Sequence, residues 1–274
     1  MLRLSPDRLV MALAPGCVTW AVVRRGLSNR LHAKGLAKFS LQEGPSWQQA
    51  MHVLQSELPK LPVTSGKVKL VLSNAFVRYL LVNGGEVLSC EEDRLALAKH
   101  DFLMVYGGLA QGWEIRVGVP DNGGKFLASA VDAELIGNLR QIFSTSGFTL
   151  DSIQPYFAQA FDAWCTSLDS KSSHGIFLAE TGGYCYAGIG MDAWEFIRCG
   201  RWEEDDPADT FHRVIGREAS LSGAGQRELW KCHAPDELLA DELSDIHQAK
   251  FLPEGEAMLN LDEPEYALVW AGVA

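Results

Sequence analysis

One order of elements occurs twice in this chain, and that repeat limits the possible folds more than any composition figure. Apolar runs at residues 9–13, 18–24 and 31–41 are separated by Pro15-Gly16 and by the turn residues Gly26, Ser28 and Asn29. They predict three consecutive strands. A helix follows, in which Trp47, Ala50, Met51, Leu54 and Leu58 recur at helical spacing. Ser46 can cap its start, and Pro59 and Pro62 end it. Residues 67–72 then form a nearly continuous apolar run, the pattern of a strand covered on both faces. Behind the small, polar stretch 167–173 the order returns. Strands are expected at 175–179, 183–190 and 193–199, a helix at 207–219 and a strand at 228–232. Three strands, a helix and a strand, read twice, predict two α/β lobes.

Between the repeats the pattern changes. A strand at 76–82 precedes a helix at 91–106. Acids crowd the first turn of that helix, Ser89 can cap it, and Leu95, Ala98, Phe102 and Val105 share a face. Strands at 113–119 and 126–131 flank the turn cluster Pro120-Asp121-Asn122-Gly123-Gly124. A helix at 132–143 capped by Asp132, a strand at 149–154, and a helix introduced by Pro155 and running through Trp164 complete this part. The expected division is a first lobe at 1–166, carrying an inserted α+β subdomain at about 76–131, and a shorter second lobe at 167–274. Residues 266–273 are apolar and are expected to pack back onto the body as helix or strand.

Charge removes several classes of function. The 24 Lys and Arg against 35 Asp and Glu leave a net charge of −11 in 274 residues, with no basic stretch to meet nucleic acid or an anionic membrane surface. The apolar run at 9–14 is too short for a secretory segment, and no window is long enough to span a membrane. The six cysteines lie at long, irregular spacings without a C-x-x-C, which reads as reduced thiols in a cytoplasmic protein. The seven histidines show no metal-ligand spacing.

No catalytic constellation stands out. Glu180-Thr181-Gly182-Gly183 joins two predicted strands. It reads as a hairpin turn or as a phosphate contact with an acid beside it. Gly223-Ala224-Gly225 precedes a strand, so it has no helix N-terminus with which to hold an anion. Cys232 and His233 are neighbours on a strand and point to opposite faces, which disqualifies them as nucleophile and base. The acidic stretch 203–209 reads as helix-start chemistry, with Asp206 capping a helix that begins at Pro207.

The segment VKLVLSNAFVRYLLV (68–82) resembles the pattern leading into the inserted subdomain of one branch of the actin-like ATPase fold. That branch holds the type IV pilus assembly protein PilM, the MSHA biogenesis proteins and the cytoplasmic part of the secretion protein GspL. The acidic helix ending Val105-Tyr106-Gly107, the strand WEIRVGV, the stretch 128–131 and Ile153-Gln154-Pro155 follow in that family's order. The resemblance implies two ribonuclease-H-like lobes and a role as a non-catalytic scaffold. Its partner would be the cytoplasmic tail of an inner-membrane pilus or secretion assembly protein, through which the chain would sit at that membrane. Phe76, Arg78 and Tyr79 would wall the peptide groove. In such a fold the turns between the first two strands of each lobe hold phosphate and metal. Here the first turn, Ala12 to Cys17, carries no carboxylate, and Pro15 lacks an N–H. Residues 258–264 have no glycine where an adenosine-binding turn is expected. The second turn keeps Glu180, Gly182 and Gly183. No cofactor is therefore expected; the alternative is a divergent Mg-dependent ATP-binding protein using Glu180, Thr181, Gly182 and Gly183. Oligomeric state stays open.

Overall fold

The computed structural model describes residues 8–24, 30–40, 47–85, 88, 90–165, 168, 172–180, 182–190, 193–202, 207–222, 228–232, 247–248 and 264–273. The expected caps Ser46, Ser89 and Asp206, the Gly223–Gly225 loop, His233 and residues 258–263 lie outside the described residues. In chain order the strands are β1 (Arg8–Ala14), β2 (Cys17–Arg24), β3 (Arg30–Lys38), β4 (Gly66–Leu72), β5 (Val77–Asn83), β6 (Trp113–Val117) and β7 (Lys125–Asp132). They continue as β8 (Phe148–Pro155), β9 (Ser173–Glu180), β10 (Gly183–Gly190), β11 (Ala193–Arg201), β12 (Glu228–Cys232) and β13 (His247–Gln248). The helices are α1 (Trp47–Glu57), α2 (Glu91–Tyr106), α3 (Ala133–Thr145), α4 (Tyr156–Trp164), α5 (Pro207–Ser222) and α6 (Ala267–Val273).

The chain divides into two compact units that are not consecutive in sequence. One comprises Met1–Phe76, Glu134–Thr166 and Lys250–Ala274; the other comprises Val77–Ala133 and Ser167–Ala249.

The first unit is built on a five-stranded sheet in the order β3-β2-β1-β4-β8. Strands β1, β2 and β3 are antiparallel neighbours, and β4 and β8 add in parallel. The central strand β1 (RLVMALA) is buried on both faces, as its unbroken apolar run requires. On one face lies α6, apolar all round and buried throughout. Its approach is close: a Cβ on Gly272 would lie 2.6 Å from Val10 Cγ1 and 2.9 Å from Val71 Cγ2. The start of α4 is fixed from a distance. Pro155 stands at its N-cap position without a side-chain hydrogen bond, and the buried Asn74 accepts one from the Phe157 N–H at 3.0 Å instead.

The second unit holds two sheets. Its five-stranded sheet has the order β11-β10-β9-β12-β13, again three antiparallel strands followed by parallel additions. Both five-stranded sheets thus have the ribonuclease-H-like arrangement. Aromatics of β9, β10 and β11 (Phe177, Tyr186, Phe196) pack with Phe211 of α5. The three-stranded sheet β5-β7-β6 carries α2, and Ala98, Phe102 and Phe126 form its core. Asp121 ties the two sheets together. Its Oδ1 accepts from the Gly123 and Lys125 N–H groups (2.8 and 2.9 Å), holding the turn between β6 and β7. Its Oδ2 accepts from the Trp194 N–H of β11 at 2.7 Å, and Lys125 Nζ donates to the Trp194 carbonyl at 3.1 Å.

The structure revises two local expectations about α2. Cys90 occupies its N-cap position, with Sγ accepting from the Asp93 N–H at 3.4 Å. Val105 is exposed rather than buried. Tyr106 folds back in its place, stacking on Phe102 and meeting the edge of Trp113.

Candidate functional site

The turn that carries the sequence candidates joins β9 to β10. Glu180 and Gly183 face each other in register, and Gly182 takes a φ of +84°, a left-handed conformation natural to glycine. Gly183 is required for a different reason: a Cβ there would overlap the Gly200 carbonyl oxygen of β11. Thr181 lies outside the described residues. Trp202 covers the turn from the end of β11. Its indole Nε1 donates to the Glu180 carbonyl at 2.9 Å, and its backbone N–H donates to the Gly182 carbonyl at 3.4 Å. The ring also packs on Tyr184 and Phe177. Glu180 is only 5% exposed.

The equivalent turn of the first unit joins β1 to β2 and repeats three of these features. Ala14 and Cys17 face each other in register, Gly16 has a φ of +81°, and the Phe39 N–H donates to the Gly16 carbonyl at 2.9 Å. Phe39 thus stands where Trp202 stands in the second unit. The chemistry differs. Ala14 occupies the place of Glu180, and Pro15 takes the place of Thr181 and removes an N–H donor. The two turns therefore differ in chemistry: one carries a buried carboxylate, and the other carries none.

The three expected groove residues are not equally available. Phe76 ends the 3-10 turn Asn74–Phe76, donates its N–H to the Ser73 carbonyl at 3.0 Å and is buried. Tyr79 is buried on β5, and Arg78, one residue earlier, points outward with Nη1 donating to the Val77 carbonyl at 3.2 Å. Strand β5 is an outer strand of its sheet and runs close beside β11.

A surface that sequence reading missed lies at the end of α2. Leu103, Met104, Val105 and Leu109 are all exposed, Met104 at 72% and Leu109 at 73%. The signal was present in the run Leu103-Met104-Val105-Tyr106 followed by Gly107-Gly108-Leu109, which is more apolar than one buried helix face needs. A cleft of about 290 Å³ in the first unit, between Leu58, Leu61, Ile142 and Phe148, has no charged residue in its lining. It therefore lacks the chemistry of a phosphate site. Among the described residues no group of three His, Cys, Asp or Glu side chains can hold a metal ion, and no helix is long and apolar enough to cross a membrane.

No protein-family model matches the chain, and no curated protein matches its sequence. Solved structures do. A Bacteroides thetaiotaomicron protein with an actin-like ATPase fold and unknown function is similar at a TM-score of 0.62 and 7% identity, over 90% of this chain and 93% of that one. The PilM–PilN type IV pilus biogenesis complex gives 0.62 and 11% identity, over 97% of both chains. The cytoplasmic domain of EpsL, an inner-membrane component of the Vibrio cholerae type II secretion system, gives 0.57 and 11%, over 98% and 96%. Together with the duplicated sheet order, these likenesses agree on one architecture. The chain has the actin-like ATPase fold.

Proposed function

We propose that this protein is a non-catalytic docking scaffold that binds a segment of an inner-membrane assembly protein, in the manner of a pilus or secretion platform component. The observation that carries the reading is the unequal pair of turns. The turn of the first unit, with Ala14 and Pro15, offers neither a carboxylate nor an N–H at residue 15 to a phosphate or its cation. The likeness to a protein in the PilM–PilN complex and to the EpsL cytoplasmic domain supports this direction. The exposed apolar group at Leu103, Met104, Val105 and Leu109 gives the inserted subdomain a surface suited to a protein partner.

The test uses synthetic peptides matching the cytoplasmic tails of membrane proteins encoded beside this gene, titrated against the labelled full chain by fluorescence anisotropy. Saturable binding of one tail, weakened at least tenfold by Met104→Glu or Arg78→Glu, supports the scaffold. Saturable binding of MgATP with no tail bound overturns it in favour of a nucleotide-binding protein acting through Glu180.

A further inference from the structure

Cys185 and Cys199 stand directly opposite each other on the antiparallel pair β10 and β11. Directly opposed residues project from the same face, at a Cα separation of roughly 4.5–5.5 Å, inside the range that a disulfide spans. The pairing depends on an irregularity. Near the turn Ile189 faces Trp194, and continuing that register would set Arg198 opposite Cys185. The register shifts between Gly188 and Ile189, leaving Glu195 as the extra residue and bringing Cys199 opposite Cys185 instead. Both thiols are free; Cys185 is buried and Cys199 is exposed on the outer strand of the sheet.

We propose that Cys185 and Cys199 form a thiol–disulfide modification site that reacts with small-molecule disulfides of the glutathione class. The exposed Cys199 thiolate attacks one sulfur of the small disulfide, forming a mixed disulfide and releasing one small thiol. Cys185 sulfur then attacks the Cys199 sulfur, forming the cross-strand bond. The second small thiolate departs and takes up the Cys185 proton. One disulfide is reduced to two thiols as two protein thiols are oxidised, so atoms and electrons balance. Burial holds the Cys185 thiol well above its ordinary range, with the Cys199 thiol and the nearby Glu180 carboxylate acting in the same direction. The second step is therefore the slow one, and the Cys199 adduct accumulates first. The site also lies next to the β9–β10 turn, since Cys185 is two residues from Gly183.

Trypsin provides the assay. Cleavage after Lys171, Arg198 and Arg201 places the two cysteines on separate peptides, 172–198 and 199–201. The folded full chain is incubated with oxidised glutathione, quenched in acid, alkylated, digested and mapped by mass spectrometry. The expected result is a transient glutathione adduct on 199–201 that converts to the linked peptide pair. Cys185→Ser should trap that adduct, and Cys199→Ser should leave Cys185 reduced. A persistent Cys199 adduct in the unaltered chain overturns the proposal. So does the absence of the linked pair once the exposed Cys165 is fully glutathionylated.

Discussion

Lys69 lies in the interior of the first sheet, and replacing it with methionine should stabilise the protein. It sits on β4, opposite Val10 of β1 and Ser152 of β8, and is only 8% exposed. Its neighbour on the same face, Val71, meets α6, so the ammonium points into a helix-covered surface. Burial pushes its pKa down from 10.5 to about 8; Arg8 adds to the fall and Asp162 opposes it. At 1.36 kcal/mol per pH unit, that displacement corresponds to about 3 kcal/mol against the charged form. Methionine keeps the apolar stem and removes the charge. Part of the gain is lost because Asp162, whose carboxyl burial already raises, loses its attractive neighbour. The net expectation for Lys69→Met is about 1–2 kcal/mol of added stability at pH 7.

The pH dependence follows from the same shift. Below about pH 8 the folded and unfolded chains both hold the Lys69 proton, and the folded state bears the full cost. Between about 8 and 10.5 the unfolded chain holds more of that proton, so this residue's contribution to stability rises with pH. Urea denaturation of both proteins at pH 7 and pH 10 reads the difference, which should shrink at the higher pH. A loss of more than 1 kcal/mol in Lys69→Met at pH 7, or a gap that does not change with pH, refutes the reasoning.

Asp121→Ala removes three backbone hydrogen bonds to a carboxylate and should cost about 2–4 kcal/mol by chemical denaturation, with Asp121→Asn losing less. Trp202→Phe keeps the ring packing but deletes the indole bond to the Glu180 carbonyl, and should cost about 0.5–1.5 kcal/mol in the same assay. Gly183→Ala should cost about 1–3 kcal/mol because its Cβ meets the Gly200 carbonyl; a neutral result means that β10 and β11 are farther apart than described. Met104→Glu, at an exposed position, should change stability by less than about 0.5 kcal/mol, which separates its effect on partner binding from any effect on folding.

Much of the architecture was legible because the two five-stranded sheets announce themselves locally. Strands β1 and β10 are nearly unbroken apolar or small-residue runs, and the glycines of Pro15-Gly16 and Gly182-Gly183 mark the hairpin turns beside them. The twin turns were legible as residue types, and their different contents are plain in Ala14-Pro15 against Glu180. What stayed hidden depends on register and tertiary packing. Pairing Cys185 with Cys199 needs a one-residue bulge that no local pattern marks. The cover that Trp202 forms over its turn needs β11 to be in place. The helical period of α2 put Val105 in the buried stripe, but it does not fix where the supporting sheet ends, so Tyr106 took that role. The cap of α4 comes from Asn74, 83 positions earlier, and so could not be read from neighbouring residues.

The most direct test of the scaffold reading is thermal unfolding of the full chain with and without millimolar MgATP. A nucleotide bound at ~100 times its Kd adds about 2.7 kcal/mol of stability. At this chain length that raises the midpoint by roughly 5 °C or more. The scaffold reading predicts no shift, in the unaltered protein and in Glu180→Gln alike. A shift of several degrees that Glu180→Gln abolishes would contradict it, and would mean that the single carboxylate-bearing turn suffices to hold a nucleotide.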